Sequence, residues 1–525
     1  MPFSSPFPDV DIPPVSLTEL VFAQARDYAE RPALVDGISG QTITYGELKV
    51  LVDRLAGALA ARGVGKGDVV GVFAPNTPSY AVVFHGIVRA GAVATTVNSL
   101  YTADEVADQL RDSGAKLLFT VSPFLDRAAA ATEQDGVQVT QTVVVDGAPG
   151  YPSLADLLAE DAAPPEVSID PGTDLAVLPY SSGTTGRAKG VMLTHRNLVA
   201  NLVQSQPLFT VVPDTRVLAV LPFFHIYGMT VLMNLGLYTR ATVVTLPKFD
   251  LETFLRTIQE YRTNRVYIAP PVAVALAKHP IVDQFDLSAM ETLFSGAAPL
   301  DAELADAVRA RIGCKVRQGY GMTEMSPVSH AIPDDRDDIP VGTVGFTIPN
   351  MECKLVDPET GQEVGVGELG ELWCRGPNVM AGYLHNAEAT AETLDPDGYL
   401  HTGDVAMVDE HGYVTIVDRV KELIKYKGYQ VPPAELEALL LTHPKISDVA
   451  VIGVRGADGE EVPKAFVVRP AGAEDLTEQD VMSFVAAKVA PHKKVRAVQF
   501  IEQIPKSASG KILRKNLRAV EPTAT

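Results

Sequence analysis

Over residues 45–62 apolar side chains recur every three or four positions, the spacing that gathers them on one face of an α-helix. Residues 68–73 then form a short apolar run that predicts a buried strand. Residues 80–90 return to the helical period before Gly91 and another strand. Strands alternating with helices imply a parallel sheet with helices on its faces. The pattern recurs at 217–221, a strand followed by a proline-containing turn, an apolar helix from about Met229 and a strand at 241–246. The two units, VVGVFAPN…RAGAVATTVN and VLAVLPFF…LYTRATVVTLP, are compatible with a diverged internal duplication, although shared strand-helix-strand order explains much of the likeness. The apolar stretch 217–238 could be weighed as a membrane span, but Pro222, His225, Gly228 and Asn234 interrupt it.

Past residue 340 the texture changes. Glycines punctuate the alternating segments MECKLVD, GELGELWCRG and GYVTIVDR, with turn chemistry at PETGQ, PDG and DEHG, which predicts an antiparallel accessory β unit. A smaller mixed segment follows, with helices at 433–441 and 478–488, strands near 449–454 and 464–468, and a basic tail. The boundary is placed at 418–421, dividing the chain into an N-terminal unit, 1–418, and a C-terminal unit, 419–525. The fold class expected is α/β: parallel-sheet subdomains plus a small β unit, followed by a small α+β domain.

A chain of 525 residues that is 46% hydrophobic has ample material for a core and suggests roughly three or four domain-sized units. Its 65 acidic and 44 basic residues give a formal net charge of -21, which disfavours nucleic acid and anionic membrane as partners. Anionic ligands must therefore find local basic clusters. Cys314, Cys353 and Cys374 are too few and too widely spaced for a disulfide framework or a CxxC metal site, so each is expected to be a buried structural thiol. The N-terminal MPFSSPFPDVDIPP lacks the pattern of a secretory signal and the C-terminal EPTAT is no peroxisomal tripeptide, so a cytoplasmic location is expected.

The most chemically loaded stretch is Tyr180-Ser181-Ser182-Gly183-Thr184-Thr185-Gly186-Arg187-Ala188-Lys189-Gly190, which follows an apolar run. Glycines let backbone N–H groups approach phosphate oxygens, hydroxyls add donors, and Lys189 adds a compact charge. It is not a Walker A loop, and alone it reads equally well as a polar surface turn. Four more segments carry polar chemistry: Ser295-Gly296-Ala297-Ala298-Pro299-Leu300, Gln318-Gly319-Tyr320-Gly321-Met322-Thr323-Glu324, Thr402-Gly403-Asp404, and Asp418-Arg419. Singly, each is better read as a turn, a helix cap or a surface pair.

In this order, the five segments resemble the adenylate-forming superfamily of acyl-CoA ligases, luciferases and peptide-synthetase adenylation domains. The likeness runs from Thr44-Tyr45 to the tail Pro505-Lys506-Ser507-Ala508-Ser509-Gly510-Lys511-Ile512. The run from Asp418 to Glu435 is similar to the branch holding 4-coumarate:CoA ligases and beetle luciferases. Gly370-Glu371-Leu372-Trp373-Cys374-Arg375-Gly376 is similar to that branch's second signature, with Trp373 and Cys374 as less usual fillings. Arg187-Ala188 stands where Leu-Pro is commoner.

The resemblance implies ATP, Mg²⁺ and CoA as cofactor and co-substrates, a small carboxylic acid as substrate, and an acyl-AMP intermediate. Ser181, Ser182, Gly183, Thr184, Thr185 and Lys189 would enclose the phosphates, with Glu324 and Thr185 toward Mg²⁺ and Thr323 toward the α-phosphate. Ala297 or Ala298 and the Gln318-Gly319-Tyr320 turn would flank the adenine, with Tyr320 stacked on it. Asp404 would accept the ribose hydroxyls, assisted by Arg419. Lys511 would meet the accumulating negative charge of adenylation, an effect commonly worth ~10²–10³ in rate. In a second orientation of a mobile C-terminal domain, Lys421 and Lys425 would contact the acyl-adenylate. Lys427 and Gly428 would line the CoA channel, with Lys248 near its entrance.

Tyr227, Gly296, Ala297, Gly321, Pro327 and Val328 would form the acid pocket, a narrow slot for a flat arylpropenoate. His225 beside them would be a buried orienting aromatic rather than a base, because an ionised acid needs no proton abstraction. The activity implied is a cinnamate or 4-coumarate-type acid:CoA ligase. A medium-chain fatty acyl-CoA ligase and an enzyme loading a carrier protein are the alternatives. A luciferase-like oxygenase shares the motifs without any feature requiring oxygen chemistry.

Overall fold

The computed structural model describes residues 3–181, 188–426, 429–456, 461–507 and 510–519. Two large α/β sheets, an antiparallel sheet and a smaller C-terminal unit make up the described chain. In the first sheet, strand Val69–Phe73 pairs in parallel with Val93–Thr96, and helix Pro78–Arg89 crosses between them. In the second, Arg216–Ala219 pairs in parallel with Thr242–Thr245. The helical residues Tyr227–Asn234 and Leu235–Tyr238 make that crossover. The two similar sequence units are thus the same strand-helix-strand unit set in two different sheets, packed on one shared apolar core.

Equivalent loops of the two units meet. Asn76, just beyond the first unit's opening strand, donates to the carbonyls of Ala219 and Leu221 and accepts from the amide of Phe223. Thr96 donates to the carbonyl of Phe224 at 2.8 Å. Both contacts satisfy backbone groups that would otherwise be buried without partners. Helix Tyr45–Ala61 starts where the periodicity predicts, closed by a reciprocal Thr44–Glu47 cap. No helix among the described residues is long and apolar enough to cross a membrane.

The accessory sheet is antiparallel throughout, in the order Phe3–Ser4, Glu352–Val356, Gly370–Arg375, Leu400–Val408, Val414–Arg419. Three of these strands are legible as alternating segments. Leu400–Val408 is not, because Thr402-Gly403-Asp404 at its centre reads as a turn. In the structure that tripeptide is a bulge: Glu371 pairs with Val405 and Trp373 with His401, so the longer strand carries two extra residues between those pairs. Gly403, at φ +70°, supplies the left-handed backbone the bulge requires.

Beyond Arg419 a hairpin, Ile424–Tyr426 with Tyr429–Val431, leads to helix Pro433–Leu441. A three-stranded sheet follows, Asp448–Arg455, Glu461–Val468 and Ala497–Phe500, with helix Glu478–Ala486 packed on it over a separate apolar core. The basic tail is not wholly irregular, since Arg514–Ala519 is helical and Arg514 makes a two-pronged contact with buried Glu437. Lys278 of the large unit donates to the carbonyl of Leu441 at 2.9 Å, one of the contacts that set how the C-terminal unit sits.

Candidate active site

Strands Thr292–Ser295 and Lys315–Gly321 run parallel with Ser295 opposite Gln318, so the loop after Ser295 leaves the sheet beside the continuing end of the longer strand. Ligands commonly bind in crevices at such carboxyl ends. Gln318–Tyr320 belongs to the strand rather than to a turn. The Gln318 amide is fully engaged with backbone: it exchanges two 2.8 Å bonds with Leu300 and also donates to the Val341 carbonyl. It ties the 296–300 loop to the sheet.

The glycines here do not leave empty space. A Cβ on Gly321 would lie 2.1 Å from the Pro327 carbonyl oxygen, and one on Gly296 would lie 2.9 Å from the Tyr227 ring. Both permit close approach of another group, so the slot read from small residues is narrower than composition suggests. Tyr227 is buried across Gly296, with its hydroxyl 3.5 Å from the Phe294 carbonyl. Its ring meets Tyr267 edge-on at 6.3 Å, Tyr267 lies 5.7 Å from Phe294, and Phe294 lies 5.0 Å from Phe209. This aromatic floor is backed by a buried ion pair, Arg265 to Asp334 at 2.6 Å, with Arg265 also donating to the Tyr267 hydroxyl at 2.6 Å. Ala297 holds a left-handed φ of +71° and is exposed above the floor, while Pro327 and Val328 are buried beside it.

Across the cleft, the Tyr320 hydroxyl donates to Asp404 Oδ2 at 2.6 Å, and Arg419 Nε lies 3.4 Å from Asp404 Oδ1. Burial and the Asp404 charge both push the Tyr320 phenol well above its ordinary range, so it stays protonated and donates. Below them, buried Glu324 accepts from the Tyr383 hydroxyl at 2.8 Å, and Lys189 sits 4.1 Å over the Tyr383 ring. Thr323 is half-buried and opens the helical turn that carries Glu324. Ser181 pairs with Lys189 across a short hairpin. Ser182, Gly183, Thr184 and Thr185 lie outside the described residues. Oxygen donors of the Glu324 type suit Mg²⁺. Among the described residues no cluster of three acidic, histidine or cysteine ligands gathers.

Lys511 comes from the C-terminal unit on a tight turn. Its amide donates to the Ser507 hydroxyl at 3.1 Å, and Gly510, at φ +84°, faces Ala269 and Pro271 of the large unit. The amine lies among the charges of Arg419, Asp404 and Glu324. Burial, then Arg419, lowers it to about 8. His225 is lowered to about 4 by burial and by Lys511, so its ring is neutral near pH 7. Its Nδ1 accepts the Tyr227 amide at 3.2 Å, which leaves Nε2 to carry the proton. His225 is thus a buried neutral ring anchored to the Tyr227 backbone.

Lys421 and Lys425 are exposed, and Lys425 is in a hairpin strand whose amide bonds Glu461. Lys248 is exposed on the large unit, and Lys427 and Gly428 lie outside the described residues. The structure therefore gathers Lys511, His225, Glu324, Tyr320, Asp404 and Arg419, whereas Lys421, Lys425 and Lys248 are exposed outside that group. Tyr383, Tyr267, Arg265 and Asp334 escape sequence reading, since none sits in a segment with recognisable phosphate, ribose or acid chemistry.

Residues 21–384 match the family model described as AMP-binding enzyme, and residues 435–511 match the AMP-binding enzyme C-terminal domain. A 4-coumarate--CoA ligase 2 of Petroselinum crispum is 41% identical, over 98% of this chain and 96% of its own length. A 4-coumarate--CoA ligase 3 of Oryza sativa subsp. japonica is 42% identical, over 98% of this chain and 94% of its own. Among solved structures, the anthranilate CoA ligase AuaEII with anthranoyl-AMP superposes with a TM-score of 0.89 at 27% identity, covering 97% of this chain and 98% of that one. ATP-bound MatB from Rhodopseudomonas palustris superposes with a TM-score of 0.86 at 32% identity, covering 96% and 99%.

Proposed function

This chain belongs to the AMP-binding enzyme family, and from that premise we propose that its acid substrate is a cinnamate or 4-coumarate-type aryl acid and that the residues gathered above run its two half-reactions. The enzyme is an AMP-forming acid:CoA ligase that uses ATP and CoA. The observation that carries the site assignment is Lys511, lowered to about 8 and set among Arg419, Asp404 and Glu324.

In the first half-reaction a carboxylate oxygen attacks the α-phosphorus, the bond to pyrophosphate breaks, and acyl-AMP forms. Tyr320 stacks on the adenine while Asp404, oriented by Tyr320 and Arg419, accepts ribose hydroxyls. Lys511 meets the charge gathering between the carboxylate and the α-phosphate, a preorganised interaction that costs no reorganisation at the moment of reaction. Lys189, Ser181, Thr323 and the 182–185 loop hold phosphates, and Glu324 with Thr185 would hold Mg²⁺, which supplies charge neutralisation when bound. In the second half-reaction the CoA sulfur attacks the acyl carbonyl and AMP leaves.

The units 1–418 and 419–525 act as two domains, with 418–421 as the hinge that lets Lys421, Lys425, Lys427 and Gly428 replace Lys511 for thioester formation. Lys248 stands near the CoA entrance. The aromatic floor of Tyr227, Tyr267 and Phe294 supports an aryl acid over a long alkyl chain, because it closes the pocket with flat faces and edges. We place the enzyme in the cytoplasm, where ATP and CoA are available and thiols stay reduced.

The test is pyrophosphate release and thioester formation across cinnamic, coumaric, benzoic and C6 to C16 acids, with and without CoA. Cinnamate-type acids should give the highest kcat/KM. Octanoate or a longer acid outrunning every aryl acid would overturn the substrate reading, and acid-independent release would overturn the site.

A further inference from the structure

Cys353 and Cys374 lie 21 residues apart in sequence but directly opposite each other on adjacent antiparallel strands of the accessory sheet. Their sulfurs are 3.5 Å apart, and both residues are almost completely buried. Cα atoms of directly opposed antiparallel residues are roughly 4.5–5.5 Å apart. That range falls inside the about 4.4–6.8 Å a disulfide spans. A side-chain shift can therefore close the bond without moving either strand far. The neighbouring strand residue Trp373 points to the other face, where it stacks on His401 at 3.5 Å.

A histidine ring borders the pair. His330 places Nε2 3.7 Å from the Cys353 sulfur and 3.1 Å from the Thr347 hydroxyl. The Cys374 thiol and the neighbouring histidine pull the Cys353 thiol below the ordinary range, whereas burial pushes Cys374 up. Cys314, the third cysteine, is pushed up to about 11 by burial.

We propose that Cys353 and Cys374 form an intramolecular disulfide when hydrogen peroxide reaches them, a modification site lying beneath the nucleotide-facing side of the accessory sheet. The Cys353 thiol gives its proton to His330, and its sulfur attacks a peroxide oxygen. The O–O bond breaks, and the departing hydroxide takes the proton from His330 and leaves as water. Cys374 sulfur then attacks the sulfenic sulfur, the S–O bond breaks, and hydroxide leaves with the Cys374 proton as a second water. The two thiols lose two electrons and two protons, and the peroxide is reduced to two waters. Access runs by local opening of the sheet edge, where the two-residue strand Phe3–Ser4 pairs Phe3 with Cys353.

The cross-link bears on the active site because the strand of Cys374 pairs directly with the strand that carries Asp404, with Cys374 opposite Leu400. Pulling the Cys374 side chain toward Cys353 acts on the strand paired with that of Asp404, which the Tyr320 hydroxyl holds. This functional consequence rests on the assignment of Tyr320 and Asp404 to the nucleotide, whereas the cross-link itself does not.

The experiment treats the full-length folded enzyme with hydrogen peroxide, blocks remaining thiols by alkylation after unfolding, and maps the peptides by mass spectrometry. Expected is one cross-linked peptide joining 353 and 374, lighter by two hydrogens, with Cys314 still alkylated, and full reversal by a thiol reductant. In the oxidised enzyme the KM for ATP should rise several-fold with a smaller change in kcat, and Cys374→Ala should keep its KM through the same treatment. Sulfinate or sulfonate accumulating at either cysteine without the cross-link, or a cross-link formed only after unfolding, would overturn the site. A cross-link with an unchanged KM for ATP would overturn the coupling alone.

Discussion

The Tyr320 hydroxyl donates to Asp404 across 84 residues of sequence at 2.6 Å, joining the end of a parallel strand to the bulge of the accessory sheet. The bond holds the carboxylate in place, and under the proposed assignment its remaining lone pairs take ribose hydroxyls. Tyr320→Phe keeps the ring but frees Asp404. The KM for ATP should rise about 10–150-fold, equivalent to ~1.5–3 kcal/mol for a hydrogen bond to a charged group. Steady-state pyrophosphate release checks this, and a fall in kcat with KM unchanged would argue against a ground-state nucleotide contact.

Lys511 should separate the two half-reactions. Lys511→Ala should slow acyl-AMP formation by ~10²–10³, while CoA transfer to presynthesised acyl-AMP continues near the normal rate. Equal slowing of both, in a folded protein, would rule out the alternation of domains.

The same residue sets a pH limit. Its amine is lowered to about 8, so in the free enzyme the charged form prevails below that pH and is lost above it. The kcat/KM for ATP, which reports free-enzyme ionisations, should fall as pH rises through about 8 with a one-proton slope. Lys511→Arg retains charge to much higher pH and should move that limb upward, whatever its absolute rate.

Glu324→Gln keeps the shape and the Tyr383 contact but removes the charge. Adenylation should drop steeply, and the Mg²⁺ concentration for half-maximal rate should rise. Tyr383→Phe, which removes only the 2.8 Å hydrogen bond, should have the smaller effect on both readouts. A Mg²⁺ dependence identical in Glu324→Gln and wild type would remove this carboxylate from the metal site.

Gly296→Ala places a methyl 2.9 Å from the Tyr227 ring, closer than atoms normally approach. Tyr227 must shift into the pocket or away from it, at ~1–3 kcal/mol for an overpacked site. The kcat/KM for cinnamate should fall about tenfold or more. Tyr227→Ala combined with Gly296→Ala should recover activity on a bulkier acid. Unchanged discrimination between aryl acids in both variants would place the acid elsewhere.

Local periodicity and motif chemistry revealed most of what is local. The helices Tyr45–Ala61 and Pro433–Leu441, the parallel units around Val69–Phe73 and Arg216–Ala219, and the lysine-bearing and Tyr-Gly-Met-Thr-Glu segments are legible because each is defined by near neighbours. Helix periods, caps and glycine-rich turns are properties of short stretches of chain.

What tertiary structure alone decided is which distant groups meet. Tyr383 reaches Glu324 across 59 residues, and Thr402-Gly403-Asp404 reads as a turn but folds as a bulge within a strand. Gly296 and Gly321 read as open space but receive Tyr227 and Pro327. Cys353 and Cys374 read as isolated thiols but face each other at 3.5 Å. Register between strands, and the packing of one ring against another backbone, depend on long-range burial of whole faces rather than on any residue's own propensity. The chain by itself supplied the candidate side chains, and packing determined which of them meet.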